Sequence, residues 1–234
     1  MDIVLKTKEF VREKLSGEGT GHDWWHIERV YKNSLLLIEK ETVDHVNKEV
    51  IELAALLHDI ADWKFYNGDE TIGPKAAREW LESQNIEQYV IEHVCEIIMN
   101  LSFKGANTKS SMKTLEGKIV QDADRLDAIG AIGIARAFAY GGYKGQELFN
   151  PMITPKEHRT SAEYKSQNTT TVNHFFEKLL LLKERMNTET AKEIAQERHH
   201  YMVDFLETFL KENQYESSLH YSMLQNFQSK GLFR

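Results

Sequence analysis

The chain has 234 residues and a formal net charge of −7 at pH 7, with 41% hydrophobic and 28% charged residues. This composition is that of an ordinary globular protein and excludes disorder along the whole chain. The negative charge argues against nonspecific binding to nucleic acid or anionic lipid, because both need a positive surface field. The single cysteine, Cys95, cannot form an internal disulfide, and no stretch approaches the ~20 apolar residues of a membrane span, so we expect a cytoplasmic protein.

Helix-forming residues dominate the sequence, which has only three prolines, and we predict an all-α fold. The chain opens with a short amphipathic helix that ends at the glycine-rich loop 16–21. His22 and Asp23 follow this loop and are expected to cap the next helix, because Asp is a good N-cap. Apolar residues at helical spacing then predict four helices, over 24–41, 46–57, 75–83 and 90–101.

The second half of the chain combines three predicted helices with one irregular stretch. Apolar spacing predicts the helices over 115–138, around 172–182 and around 191–209. Residues 141–170 follow no helical pattern, and an irregular stretch of about 30 residues in a compact domain is typical of a lid or a binding loop. We therefore expect a single domain over 1–234, with a motif core at about 20–140, a flexible flap at about 141–170 and C-terminal helices at about 171–213.

A histidine and an aspartate lie together at the end of a predicted buried helix. His58 and Asp59 follow the apolar run 54–57. Burying an unpaired carboxylate costs several kcal/mol, so Asp59 needs a cation or a full set of hydrogen bonds. A metal ion would supply the cation, but two adjacent side chains cannot complete its coordination shell. Other predicted helices must therefore contribute ligands.

Two further segments offer such ligands. His26 lies among apolar residues at the start of a predicted core helix, and Asp122 or Asp124 lies where acidic and apolar residues alternate. Two imidazoles and two carboxylates with open positions suit an octahedral divalent ion such as manganese, iron, cobalt or nickel better than a closed structural zinc. The residues alone therefore favour a metal centre, with a buried cluster satisfied by hydrogen bonds as the alternative.

These residues lie in three blocks that resemble the motifs of the HD superfamily of metal-dependent phosphohydrolases: 21–30 (GHDWWHIERV), 56–65 (LLHDIADWKF) and 122–130 (DADRLDAIG). They are most similar to a bacterial subgroup associated with nucleotide pyrophosphohydrolase activity. The resemblance implies a divalent ion held by His26, His58, Asp59 and Asp124. Asp122 would then orient a ligand or a water.

The resemblance also implies one ion and not two. Dinuclear branches of the superfamily carry further histidines between the His-Asp pair and the last aspartate, where this chain has only His93. Manganese is the first choice, with magnesium, cobalt, nickel and iron as alternatives.

The chemistry expected of such a centre is hydrolysis at phosphorus, since a divalent ion lowers the pKa of its water and polarises a phosphoryl oxygen. Asp62, three residues after Asp59, is the candidate proton acceptor, and the nucleotidase branch of the superfamily has an acidic residue at this offset. The alternative for Asp62 is a carboxylate at the surface or one that only orients a ligand. Lys64 is the first cation expected beside the phosphate. Arg29, three residues after His26, is a candidate for a position beside the ligands, but a structural ion pair with an acidic neighbour is the favoured interpretation. The further substrate-binding candidates are Lys104, His174, Lys178 and Arg198, with ordinary interhelical contacts as the alternative for the last three.

We therefore expect an enzyme that attacks the α-phosphorus of a nucleoside triphosphate and releases pyrophosphate. The alternatives are a 5′-nucleotidase, a cyclic-nucleotide phosphodiesterase and, in another class, a non-catalytic nucleotide or metal sensor. An oxygenase is disfavoured, because the extra histidines of a dinuclear iron site are missing. The expected binding partner is a small-molecule nucleotide, and we expect no binding to nucleic acid or membranes. The protein is expected to be a monomer or a homodimer.

Five histidines have no partner that the spacing suggests and are expected in solvent: His45, His158, His199, His200 and His220.

Overall fold

The computed structural model describes residues 2–17, 21–41, 45–61, 69–101, 111–156 and 169–229. Within these ranges the chain forms ten α-helices, one 3₁₀ helix and no β-strand, which confirms the predicted all-α fold. The first seven α-helices are α1 (Ile3–Lys14), α2 (Trp24–Glu41), α3 (Lys48–Leu57), α4 (Ile72–Ser83), α5 (Gln88–Leu101), α6 (Leu115–Asp127) and α7 (Gly130–Tyr143). They are followed by α8 (Thr171–Glu177), the 3₁₀ helix (Leu179–Arg185), α9 (Glu189–Glu212) and α10 (Leu219–Ser229).

The chain divides into two compact units. The first comprises Met1–Phe103, Lys109–Asp124 and Asn187–Thr190, and the second comprises Lys104–Thr108, Arg125–Met186 and Ala191–Arg234. The expectation of a single domain over the whole chain stays a prediction. Among the described residues, no helix is both long and apolar enough to span a bilayer.

Helix α3 is the central element of the first unit. It packs against α1, α2 and α5, and α4 packs against α5. The seven buried residues of α3 surround most of its circumference, which is typical of a helix enclosed on all sides. Asn47 fixes its start, because the Asn47 side chain accepts a hydrogen bond from the backbone N–H of Val50 at 3.2 Å. His58 and Asp59 directly follow the C-terminal end of this buried helix.

The single helix predicted over 115–138 is wrong. Helix α6 ends at Asp127 and α7 begins at Gly130, where φ is +75°, a conformation that favours glycine. A Cβ atom at Gly130 would lie 3.0 Å from the Cβ of Arg198, so the close approach of that side chain also requires glycine. Apolar spacing continues through the break and therefore does not reveal it.

The second unit holds a cluster of aromatic side chains. The ring of Phe138 lies 5.9–6.4 Å, centroid to centroid, from the rings of Phe175, Phe205 and Phe209. The helix predicted around 172–182 is interrupted at Lys178, whose φ and ψ of −142° and −60° separate α8 from the 3₁₀ helix. Helix α10 was not predicted from the sequence.

The predicted flap is irregular where the structure describes it. Helix α7 extends to Tyr143, and residues 144–156 form turns and bends. Backbone hydrogen bonds of 3.0 Å tie this stretch to the start of α8, from Thr171 N to Glu147 O and from Val172 N to Leu148 O. Residues 157–168 lie outside the described residues, so the flexibility of the flap stays a prediction.

Candidate metal centre

Three elements of the first unit position the predicted ligands. His26 lies in the first turn of α2, His58 and Asp59 follow α3 directly, and Asp124 lies on α6. Asp23 caps the start of α2, because its Oδ1 accepts a hydrogen bond from the backbone N–H of His26 at 2.9 Å. The N-cap therefore fixes the backbone of a predicted ligand.

The structure brings the four predicted ligands together. His26 Nε2 lies 3.1 Å from His58 Nε2, 3.3 Å from Asp59 Oδ2 and 3.6 Å from Asp124 Oδ1. His58 Nε2 lies 3.7 Å from Asp59 Oδ2 and 3.8 Å from Asp124 Oδ1. With metal–ligand bonds of about 2.1 Å, two neighbouring ligands are separated by about 3.0 Å at a right angle and about 3.4 Å at a tetrahedral angle. Each of these five separations is shorter than the about 4.2 Å between opposite ligands of one ion. The possible ligand atoms that lie within 4.8 Å of one another form two groups, His26–His58–Asp124 and His22–His26–Asp59, which share His26. Binding of a metal stays a prediction.

The imidazoles present the atoms that a metal needs. The side chains of His26 and His58 are 0% and 1% exposed. His58 Nδ1 lies 2.9 Å from the carbonyl oxygen of Ala55, to which it donates a hydrogen bond, and this assigns the proton to Nδ1 and leaves the Nε2 lone pair for a cation. The carboxylates of Asp59 and Asp124 are 17% and 31% exposed, so the centre can admit water and substrate on their side.

The Asp59 carboxyl is held in the charged form that binds metals. Burial raises its pKa, but the electrostatic and hydrogen-bonding contributions of the neighbouring imidazoles of His58, His22 and His26 outweigh that effect and lower the pKa well below its ordinary value. Asp59 is therefore ionised at neutral pH.

His22 joins the cluster, which the sequence analysis did not foresee. The sequence suggested that His22 and Asp23 together cap α2, but only the Asp23 side chain does so. His22 Nδ1 instead lies 2.7 Å from Asp59 Oδ2, and the His22 ring centroid lies 5.6 Å from that of His26. The signal in the sequence was the spacing of four residues between His22 and His26.

Gly73 allows α4 to approach the segment that carries two of the predicted ligands. A Cβ atom at this position would lie 3.3 Å from the carbonyl oxygen of Ala61 and 4.0 Å from that of His58. Because glycine has no side chain, α4 can pack directly against the backbone of residues 58–61 at this position.

Asp122 binds the segment that leads into α9. Its carboxylate accepts hydrogen bonds of 2.7–2.9 Å from the backbone and side-chain nitrogens of Asn187 and from the backbone N–H and hydroxyl of Thr188. Burial raises the pKa of Asp122, and these hydrogen bonds oppose that shift. Among the described residues it forms no hydrogen bond to a predicted metal ligand, so its role in orienting one stays a prediction.

The remaining candidates lie in different places. Arg29 is half-buried, one turn after His26 on α2. In the second unit, Arg198 donates a hydrogen bond to the carbonyl oxygen of Leu126, an interhelical contact, and the backbone N–H of Lys178 bonds to the carbonyl oxygen of His174 at 3.0 Å. Asp62, Lys64 and Lys104 lie outside the described residues. Their substrate and catalytic roles stay predictions.

Comparison with known proteins identifies the family. The sequence profile of the HD domain family matches residues 24–129. The chain is 45% identical to an HD-superfamily hydrolase of known structure from Bacillus thuringiensis, covering 90% of this chain and 96% of that one, with a TM-score of 0.66. The chain belongs to the HD domain family. Family membership and the ligand cluster identify it as a metal-dependent hydrolase.

Two further relatives match this HD-domain chain over most of its length. A structure from Lactobacillus plantarum is 35% identical, with a TM-score of 0.78 and coverage of 90% of this chain and 96% of that one. YpgQ of Bacillus subtilis, a protein described as uncharacterized, is 37% identical over 88% of this chain and 91% of its own length. The structure of YpgQ solved in complex with ADP has a TM-score of 0.67, with coverage of 89% of this chain and 97% of that one.

Proposed function

We propose that this HD-domain protein is a metal-dependent phosphohydrolase that converts nucleoside triphosphates to monophosphates and pyrophosphate. The observation that carries this proposal is the convergence of His26, His58, Asp59 and Asp124, in which each histidine Nε2 lies 3.1–3.8 Å from the other imidazole and from both carboxylates. A bound divalent ion would supply a water of lowered pKa and would polarise a phosphoryl oxygen.

The residues of the centre would divide the work of holding the ion. His26 and His58 would bind through neutral imidazole nitrogens, and the carboxylates of Asp59 and Asp124 would neutralise the two positive charges. Because the two carboxylates are partly exposed, the open positions of the ion would face solvent and substrate. Asp62 is proposed as the group that accepts the proton of the attacking water, and Lys64 as a cation beside the phosphate.

The proposed nucleotide substrate is supported by a relative. YpgQ, 35% identical in the ADP complex, binds a nucleoside diphosphate. The net charge of −7 means that the surface as a whole does not attract polyphosphates, so a local cation must do so. A bound divalent ion would meet that need by coordinating phosphate oxygens at its open positions, and manganese is the proposed ion.

A product assay with metal-free protein tests the proposal. The metal-free protein is incubated with nucleoside triphosphates, monophosphates or cyclic monophosphates. One metal at a time is added: manganese, magnesium, cobalt, nickel or iron. Released pyrophosphate and orthophosphate are measured separately in each reaction. The Asp59→Ala variant, purified in the same way, reveals any contaminating phosphatase. We expect pyrophosphate and a monophosphate from triphosphates, in a reaction that depends on added metal.

Other products would identify the alternatives. Orthophosphate from monophosphates would indicate a 5′-nucleotidase, and linear monophosphates from cyclic ones would indicate a phosphodiesterase. Tight nucleotide binding without any product would favour a sensor. No turnover with any metal or nucleotide would contradict the proposed activity.

A further inference from the structure

His22 is held in place by the backbone on both sides. Gly21 precedes it with φ of +89°, a conformation that favours glycine. On the other side, the carbonyl and side-chain oxygens of Asp23 accept hydrogen bonds from the backbone N–H of His26, which fixes the first turn of α2. The chain therefore presents the His22 ring from a defined position, with 18% of the side chain exposed.

The contact between His22 and Asp59 has the geometry of a strong hydrogen bond. The 2.7 Å between His22 Nδ1 and Asp59 Oδ2 is shorter than the 3.3–3.8 Å that separate Nε2 of His26 and His58 from the carboxylate oxygens of Asp59 and Asp124. It falls within the range of about 2.7–2.9 Å for a bond between N–H and a carboxylate. Because an ionised carboxylate can only accept, Nδ1 of His22 carries the proton and donates.

The ligand atoms of His22, His26 and Asp59 lie within 4.8 Å of one another and could together hold an ion, but the 2.7 Å between His22 and Asp59 favours a hydrogen bond. Two ligands bound at about 2.1 Å on adjacent positions are about 3.0 Å apart, more than the observed 2.7 Å. A carboxylate oxygen has two lone pairs, so Asp59 Oδ2 can accept the hydrogen bond with one and bind a cation with the other. The contact is therefore compatible with a metal on Asp59 and His26.

We propose that His22 is a positioning residue that orients the Asp59 carboxylate for the metal. The inference rests on the proposed metal centre. Asp59 is 17% exposed, so without the imidazole its carboxylate can rotate and bond to water in place of the ion. Removing a hydrogen-bond partner of a metal ligand typically weakens metal binding about 10–100-fold.

Metal affinity measures this role without depending on turnover. Wild-type protein and the variants His22→Ala and His22→Asn are stripped of metal and titrated with Mn²⁺ by calorimetry and by electron paramagnetic resonance. Asn places an N–H close to the position of Nδ1, so it retains the donor that Ala removes. We expect His22→Ala to bind Mn²⁺ about 10–100-fold more weakly and His22→Asn to bind close to wild type.

A second histidine provides a matched control. His93 is half-buried in the same unit, and its Nε2 lies 3.0 Å from the hydroxyl of Thr114, a neutral partner outside the ligand cluster. We expect His93→Ala to keep the wild-type affinity for Mn²⁺. Circular dichroism of each variant establishes that it is folded, and recovery of affinity in His22→Asn separates loss of the donor from loss of structure.

Three results would overturn the inference in different ways. Equal affinity of His22→Ala and wild type would show that His22 does not position Asp59. If His22→Ala lost Mn²⁺ binding as completely as Asp59→Ala, and His22→Asn did not restore it, His22 would be a metal ligand itself. A folded wild-type protein that binds none of the divalent ions would instead contradict the proposed metal centre, and this inference with it.

Discussion

His58 in the first unit and His199 in the second are both buried, but their surroundings are opposite. His58 is 6% exposed, and its Nε2 lies 3.7 Å and 3.8 Å from the carboxylates of Asp59 and Asp124. His199 is 1% exposed, and both of its ring nitrogens are without a hydrogen-bond partner among the described residues. A phenyl ring, that of Phe227, lies 6.2 Å from it, centroid to centroid.

The two surroundings favour different charges: a neutral imidazole at His199 and a bound cation beside His58. Burial, with a smaller effect from the neighbouring charges of Lys183 and His200, lowers the pKa of His199 to about 4, so this imidazole stays neutral. At the metal centre the anionic side chains favour a cation instead. Burial of a histidine is therefore no evidence for a metal site by itself, and the carboxylates around it are.

The largest effect that distinguishes the two regions is expected from Asp59→Ala. The variant removes one charged ligand from the cluster, so we expect loss of Mn²⁺ binding and a fall in turnover of about 10³-fold or more, because the ion supplies several kcal/mol of transition-state stabilisation. By contrast, the His199→Leu variant should retain both Mn²⁺ binding and wild-type turnover. Metal content and steady-state rates measure the outcome, and full turnover in Asp59→Ala would show that the centre is misassigned.

Asp62→Ala should separate metal binding from proton transfer. We expect the variant to retain wild-type metal content and to lose about 10²–10⁴-fold in turnover, the usual contribution of a general base. Asp204→Ala, which changes an exposed carboxylate on α9, is the control and should behave as wild type. An unchanged rate in Asp62→Ala would exclude this residue as the proton acceptor.

Added metal should stabilise the folded protein through the first region alone. At a free Mn²⁺ concentration about 100 times the dissociation constant, the free energy of unfolding should rise by about 2.7 kcal/mol. Urea denaturation with and without Mn²⁺ measures this increment. It should vanish in Asp59→Ala and persist in His199→Leu; an equal increment in Asp59→Ala would indicate that the ion binds elsewhere.

Acid should destabilise the protein through the second region. The pKa of His199 is about 4 in the folded state and about 6.5 in an unfolded chain, so between these values the unfolded state binds more protons and stability is lost as the pH falls. Relative to pH 7, the contribution of His199 at pH 5 is a loss of about 2 kcal/mol.

Urea denaturation at both pH values measures this loss. The His199→Leu variant should reduce it, whereas His45→Ala, which changes an exposed histidine of the first unit, should not. The same pH dependence in His199→Leu as in wild type would show that other groups cause the effect.

Features that depend on neighbouring residues or on motif blocks could be predicted from the sequence. The all-α fold and the family follow from helical spacing and three motif blocks. His26, His58, Asp59 and Asp124 lie near one another, but their role as metal ligands stays a prediction. The Asp23 cap was found because it depends on neighbouring residues alone. His45 and His200 are exposed as expected, and His158 lies outside the described residues.

The features that the sequence did not reveal depend on distant contacts. His199 and His220 were wrongly expected in solvent. His220 is buried on α10, and its Nε2 lies 2.8 Å from Asn173 Oδ1, a partner 47 residues away in the chain. His22 was assigned to a local cap because its contact with Asp59 spans 37 residues. The break at Gly130 likewise reflects the approach of Arg198.

The most direct test of the account is the anomalous diffraction of crystals grown with Mn²⁺. We predict one strong anomalous peak about 2.1–2.2 Å from His26 Nε2, His58 Nε2 and carboxylate oxygens of Asp59 and Asp124. A peak that these four side chains do not share, or none at a concentration of Mn²⁺ that supports turnover, would contradict the central claim.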